Sequence, residues 1–261
     1  MRPSLLLLLL SGCAPEKAVD LDGDGAEAGE DCDDHDATRW NQVGEFEGDV
    51  SVTDAAEFCV AWCARSVTGD VLLFEPTDAE LTGLSCTSAV GGSVHLSYGA
   101  DLTALDGLSQ LVSIGGDLSI DDTDGLTGIS GLGALTEVGG SVSLEGNAAL
   151  TSITGLGSLT TIAGDLTLFG NRELAEFTGL SGVTSVGRSL TIRANDALED
   201  LAGLAGVGTV GGSLVLSENF LLADILGLGN VAAVGGDLSI DQNDELTSSP
   251  ASRASPRSPA R

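Results

Sequence analysis

The sequence predicts an all-β fold: a right-handed β-helix or leucine-rich-type solenoid of 24-residue coils, closed by a short amino-terminal capping helix. Three observations lead there. One pattern of 24 residues occurs seven times in unbroken register across residues 90–246, opening at Val90, Ile114, Val138, Ile162, Val186, Val210 and Val234. A fixed period of this length marks stacked units, none of which can bury its apolar face alone. Within a copy, apolar residues fall at positions 1, 5, 7, 13, 16, 19 and 22; in the third copy they are Val138, Val142, Leu144, Leu150, Ile153, Leu156 and Leu159. The alternation at 5 and 7 marks a short strand with one face inward. Finally, Gly occupies position 18 in every complete copy (Gly107, Gly131, Gly155, Gly179, Gly203 and Gly227). Gly inside a helix costs roughly 1 kcal/mol, so the spacing of three from position 13 to 22 is read as tight bends and not as a helix.

Other positions serve the corners. Gly pairs at positions 2 and 3, such as Gly139 and Gly140, suit a bend that needs positive φ or close backbone approach. Position 10 is Gly99 and Thr123 in the first two copies, then Asn147, Asn171, Asn195, Asn219 and Asn243. Stacking brings those amides into register, where a ladder of side-chain hydrogen bonds can satisfy turn backbone. Seven coils rising about 4.8 Å each make one elongated domain about 34 Å long.

The phrase Val-Gly-Gly-x-Leu-x-Ile-x-x-Asn-x-x-Leu-x-x-Leu-x-Gly-Leu-x-x-Leu resembles the repeat of receptor L domains, the leucine-rich β-helical modules of insulin-receptor and growth-factor-receptor ectodomains that also occur in bacterial surface proteins. The resemblance spans residues 90–246 and implies architecture more than activity. One residue more follows the Asn than in an ordinary leucine-rich repeat, which favours the β-helical relative over the horseshoe.

Composition excludes some partners. Ten basic against 39 acidic residues give a net charge of −29, the opposite of the basic footprint that nucleic acid needs. Adsorption to anionic lipid is disfavoured for the same reason. Divalent cations and basic partners are compatible with it. Aromatic residues are only 3% of the chain, so Leu, Ile and Val must do the packing.

In chain order, residues 1–12 read as a secretory signal: a cationic start, six leucines and small residues. Six leucines are too short to span a bilayer. Leu10-Ser11-Gly12-Cys13 resembles a bacterial lipobox, which implies lipidation of Cys13, cleavage before it and, with Ala14 next, anchoring at the outer membrane or cell surface. Residues 13–45 form an acidic linker, with nine acids and no Lys or Arg in residues 20–36. Asp20, Asp22 and Asp24 with Gly25 and Asp31 match positions 1, 3, 5, 6 and 12 of a calcium loop. With Asp33, Asp34 and Asp36 the run is similar to the Asp-rich motifs of bacterial surface proteins and thrombospondin type 3 repeats, which implies bound Ca²⁺; a solvated acidic spacer is the alternative.

Residues 46–89 are expected to form a cap and a first coil. GDVSV at 48–52 reads as a strand, residues 54–63 as a short helix with Thr53 or Asp54 as N-cap, and VTGDVLLF at 67–74 echoes the repeat opening. With Cys13 lipidated, Cys32, Cys59, Cys63 and Cys86 are an even set in an oxidising compartment, and three connectivities are open. The favoured one runs from the cap helix once to Cys86 and once to Cys32. Residues 247–261, rich in Ser and Pro with three Arg and no acid, are expected to be disordered. A tail that covers the open last coil, a shortened domain and a frame change in the gene all fit such an end.

Positions 4, 6 and 8 form the outward row. Position 4 offers Asp117, Asp165 and Asp237, and position 8 the mixed series Ser97, Asp121, Glu145, Phe169, Arg193, Ser217 and Asp241. Exposed aromatics and Arg are common at binding hot spots, so Phe169 and Arg193, with Arg188 beside them, are the candidate ligand-binding patch. The expected function is a lipid-anchored, non-catalytic recognition or adhesion module for a protein or glycan at the cell surface. A structural envelope spacer whose only ligand is Ca²⁺ is the alternative. An enzyme of the polysaccharide-cleaving β-helix kind ranks last, because His35 and His95 are the only histidines and the repeats hold no Lys.

Overall fold

The computed structural model describes residues 45–51, 55, 58–61, 65–175 and 177–247. The signal segment, the acidic linker with its candidate metal ligands, the helix N-cap, Cys13, Cys32, Cys63 and the Ser/Pro/Arg tail lie outside those residues. What is described is all-β, built from parallel strands with few helical turns.

Each of the six complete copies of the repeat contributes the same three pieces, and the seventh contributes the two strands. The opening residue of a copy and the one before it form a two-residue strand, as in Glu137–Val138. Positions 5 to 8 form a four-residue strand, as in Val142–Glu145. Positions 17 to 19 form one 3₁₀ turn, as in Thr154–Leu156, where the Gly-containing bends were expected. Every strand pairs in parallel with its counterparts in neighbouring copies, so that two nine-stranded sheets run the length of the stack. Eight strand spacings give a length of about 38 Å.

Register follows the inward pattern. Leu118, Val142, Leu166, Leu190 and Leu214 lie side by side in one column of the long-strand sheet. In each of the first five copies all seven apolar positions are at most 2% exposed. Burial of each such side chain is worth about 1.5–3 kcal/mol, and a slip of one residue would turn the whole strand face outward. This column of branched aliphatics is the core, with Phe58 and Phe177 the buried aromatics among the described residues.

Two levels precede the repeat. Glu45–Phe46 with Val50–Ser51, then Ser66–Val67 with Val71–Phe74, extend the two sheets. Pairing of Glu45 with Ser66 and of Ser66 with Ala89 sets steps of 21 and 23 residues, which hid the first level from a search for a 24-residue period. A helical turn, Phe58–Ala61, sits at this end, with Phe58 buried and its ring centroid 5.4 Å from that of Phe46. Cys59 is joined to Cys86 by a disulfide, the expected tie between the cap helix and Cys86.

A second short helix, Asp78–Thr82, takes the place of a 3₁₀ turn and was not expected. Its signal is present in the sequence as Thr77-x-x-Glu80: Thr77 Oγ1 accepts Glu80 N–H, and the Glu80 carboxylate accepts Thr77 N–H at 2.8 Å. The Asp78 carboxylate accepts from the Thr103 hydroxyl and backbone N–H, at 2.5 and 2.8 Å, and these bonds hold its pKa below the ordinary Asp value. That tie between cap and first copy is complete above the usual carboxylate range and weakens as pH falls through the lowered value.

Glycine at positions 2, 3 and 18 answers to close approach. A Cβ on Gly139 would stand 2.3 Å from Gly115 O, and one on Gly155 would stand 1.7 Å from Ile129 O. Positive φ, expected as one option at the Gly pairs, falls instead at position 9. Tyr98, Asp122, Gly146, Gly170, Ala194, Glu218 and Gln242 all have φ between 51° and 72°. Most are not Gly, and this single left-handed residue turns the chain out of the strand.

At the far end, Leu238 and Ile240 occupy inward positions yet are 62% and 37% exposed, since no described strand lies beyond them.

Two substitutions should therefore have opposite signs. Gly155→Ala must displace a carbonyl of the neighbouring coil, and denaturant titration should show a loss above roughly 3 kcal/mol, the range of severe core disruption. Ala194→Gly relieves a left-handed alanine and should gain roughly 0.5–1 kcal/mol.

Candidate functional site

The outer face of the long-strand sheet carries the candidate patch, and two ladders hold it in place. The first lies just beyond the strands. Asn171 Nδ2 donates to Leu144 O at 2.9 Å, while Asn171 Oδ1 accepts Asn147 N–H at 3.1 Å and Asn147 Nδ2 at 3.2 Å. The same bonds recur at Asn195, Asn219 and Asn243. At the amino-terminal end Thr123 closes the series, with its N–H and hydroxyl both donating to Asn147 Oδ1. Asn147, Asn171, Asn195 and Asn219 are fully buried. Each amide thus fixes the strand end two residues after a position 8 side chain, as the expected ladder required.

The second ladder gives position 4 a backbone duty besides its outward placement. Asp117 Oδ1 accepts Ser141 N–H at 2.6 Å, Ser141 Oγ accepts Asp165 N–H at 3.0 Å, and Asp165 Oδ1 accepts Ser189 N–H at 2.7 Å. Asp117 and Asp165 therefore serve the backbone of the next coil. The Gly at position 3 makes room for them, since a Cβ on Gly140 would meet Asp117 Oδ1 at 2.1 Å. Alternation of Asp and Ser down the column was the signal for this role.

Position 8 is free of such duties. The structure brings Phe169 and Arg193 together: the guanidinium lies 5.7 Å from the ring centroid and donates to Glu218 Oε1 at 2.7 Å, which raises the Arg193 pKa. Arg188 leans the other way, 3.9 Å from Asp165, as an exposed ion pair of little energetic weight. The candidate cations are thus matched within the chain.

A second patch was missed. Phe74 and Tyr98 have ring centroids 5.3 Å apart and are 59% and 54% exposed, with Leu72 beside them. Phe74 pairs with Ser97, so it belongs to the position 8 row one level before the repeats. The echo in VTGDVLLF carried that signal, because the final Phe aligns with position 8. Next along the row, Asp121 accepts the Ser119 hydroxyl at 2.5 Å; burial pushes its carboxyl above the ordinary range, and Glu145 and Asp122 add to the shift.

The short-strand sheet carries a shallow trough of about 400 Å³ over Val67, Val90 and Ile114, lined also by Glu137. No group of three His, Cys, Asp or Glu poised to hold a metal occurs among the described residues. No described helix is long and apolar enough to cross a membrane. No protein-family model, curated protein or solved structure matches this chain.

The amide ladder sets a clear expectation. In Asn195→Asp the side chain can no longer donate to Leu168 O, and it turns a carboxylate toward Asn219 Oδ1. Loss of two donors should destabilise the protein by roughly 3 kcal/mol at neutral pH. Burial raises the new carboxyl's pKa, so the loss is full above that value and shrinks as pH falls through it. Asn195→Ala should lose a similar amount at every pH, as read from denaturation midpoints across a pH series.

Proposed function

We propose that this chain is a non-catalytic recognition or adhesion module, held at the cell surface by its lipid anchor, that reads a protein or glycan ligand with the outer face of its long-strand sheet. One observation supports this best. Across the seven copies, position 18 is Gly wherever the copy is complete and position 5 is always Val or Leu, while position 8 holds Ser, Asp, Glu, Phe and Arg. A row that the fold leaves free, on a rigid frame, is where binding diversity can sit. The proposal includes the finer architecture: a β-helical stack akin to receptor L domains, right-handed because parallel crossovers in one sheet nearly always are.

The remaining expectations belong to the same reading. Cys13 carries the anchor, the acidic linker spaces the stack from the membrane, and Asp20, Asp22, Asp24, Asp31, Asp33, Asp34 and Asp36 hold Ca²⁺ through hard oxygen ligands. The alternative, an envelope spacer without a macromolecular ligand, shares the anchor and the linker and differs only in the use of the sheet face.

Two measurements test this. The full chain should bind selected members of glycan and peptide arrays. Joint replacement of Phe74, Glu145, Phe169 and Arg193 by Ser should reduce that binding at least tenfold while the melting temperature stays within a few degrees. Unchanged binding would take the ligand off this face, and no binding to any array member would leave the spacer. Separately, calorimetry with Ca²⁺ should give heat that a chelator abolishes, and silence at millimolar Ca²⁺ would remove the metal from the proposal.

A further inference from the structure

We propose that the Phe74 end of the sheet face is a slot for an arginine side chain offered by an extended segment of a basic partner protein. The inference rests on the face being a recognition surface, and it names the partner's chemistry.

The molecule contains a filled version of this slot. Phe169 supplies a ring at position 8, Arg193 follows at position 8 of the next coil, and Glu218 at position 9 of the coil after that takes the guanidinium at 2.7 Å. Ring, cation and carboxylate thus occupy three consecutive levels, and the cation bridges the outer two. Phe74, Ser97 and Asp122 stand in the same relation: Phe74 pairs with Ser97, Ser97 pairs with Asp121, and Asp122 follows at position 9. Here the middle residue is a serine, too short to reach either neighbour. The ring and the carboxylate remain, and the cation is missing.

The surroundings favour a guanidinium over other groups. Phe74 is 59% exposed, against 39% for Phe169, whose face Arg193 covers. Tyr98 and Leu72 widen the apolar shelf on which the stem of an arginine would lie. Asp121 and Glu145 pair side by side in the long-strand sheet and add carboxylates on the next two levels. A planar cation that stacks on a ring while it binds carboxylate through two N–H groups fits such a frame better than an ammonium. The net charge of −29 adds long-range attraction for a basic segment.

A labelled acetyl-Thr-Arg-Thr-Arg-Thr amide, titrated with the full chain at low ionic strength and followed by fluorescence anisotropy, tests the assignment. Ser97→Arg should fill the slot from within and weaken binding at least tenfold, Asp122→Asn and Phe74→Ser should each weaken it at least fivefold, and Ser97→Ala should leave it unchanged. The lysine analogue should bind at least threefold more weakly. Glu137→Gln with Glu199→Gln, exposed acids elsewhere, should change affinity less than twofold. Equal binding by the wild type and Ser97→Arg overturns the slot, as does a loss in the Glu137/Glu199 control as large as that of Asp122→Asn, or a lysine peptide as tight as arginine. Replacing Arg253, Arg257 and Arg261 by Gln should leave affinity unchanged; a several-fold gain would make the chain's own arginines the occupant and overturn the assignment to a partner. The two readings fail separately. Array binding that the four-residue Ser variant abolishes and Ser97→Arg does not affect keeps the recognition surface and discards the slot; silence on both arrays and peptide discards both.

Discussion

Everything in this structure depends on backbone packed against backbone at one fixed offset. Ile129 O lies where a Cβ of Gly155 would be, and Gly115 O where a Cβ of Gly139 would be. Contacts this tight admit one register only. With that register set, aliphatic side chains meet their equivalents above and below, and the core needs no interlocking of unlike shapes. Polar groups at the corners then pair by the same rule, each amide with the next amide and each position 4 oxygen with the next N–H.

How far the sequence disclosed this varied with the physics behind each feature. The inward columns and the Asn ladder were legible because a stack multiplies one local rule by the number of copies. Asp117 and Asp165 lie on the outward row as the pattern indicates, and what the pattern did not disclose is their bonding to the next coil. Their positions on the strand were right, but a short carboxylate can fold back onto the neighbouring backbone, and alternation with Ser was the clue that it does. The helix Asp78–Thr82 was missed although Thr77 and Glu80 spell its cap, because attention to a 24-residue period passes over an element that occurs once. Left-handed backbone at position 9 was illegible in principle. Tyr98, Asp122 and Ala194 share no residue type that would announce it, and only the demand to leave the strand at a sharp angle imposes it.

The site was half legible for a related reason. Phe169 and Arg193 stood out as exceptions within the repeats, and the structure does bring them together. Their charge is spent on Glu218, one position off the outward row, where no strand pattern would direct a search. Phe74 and Tyr98 escaped notice because one precedes the counted copies and the other follows its strand. What separates the two patches is whether an arginine of the chain lies between the ring and the position 9 carboxylate.

In the amide ladder each rung donates to the rung that follows, in the position 4 ladder each backbone N–H donates to the side-chain oxygen of the rung before, and in both the same bond is repeated from coil to coil. A stack made this way has no preferred number of rungs. Tandem duplication or loss of one whole unit leaves every donor facing an acceptor and every aliphatic column unbroken, while an insertion of one residue mismatches both ladders at once. Size in such a molecule can drift by whole modules with little penalty, and a distance between two surface features becomes something that selection can adjust in steps of one sheet spacing.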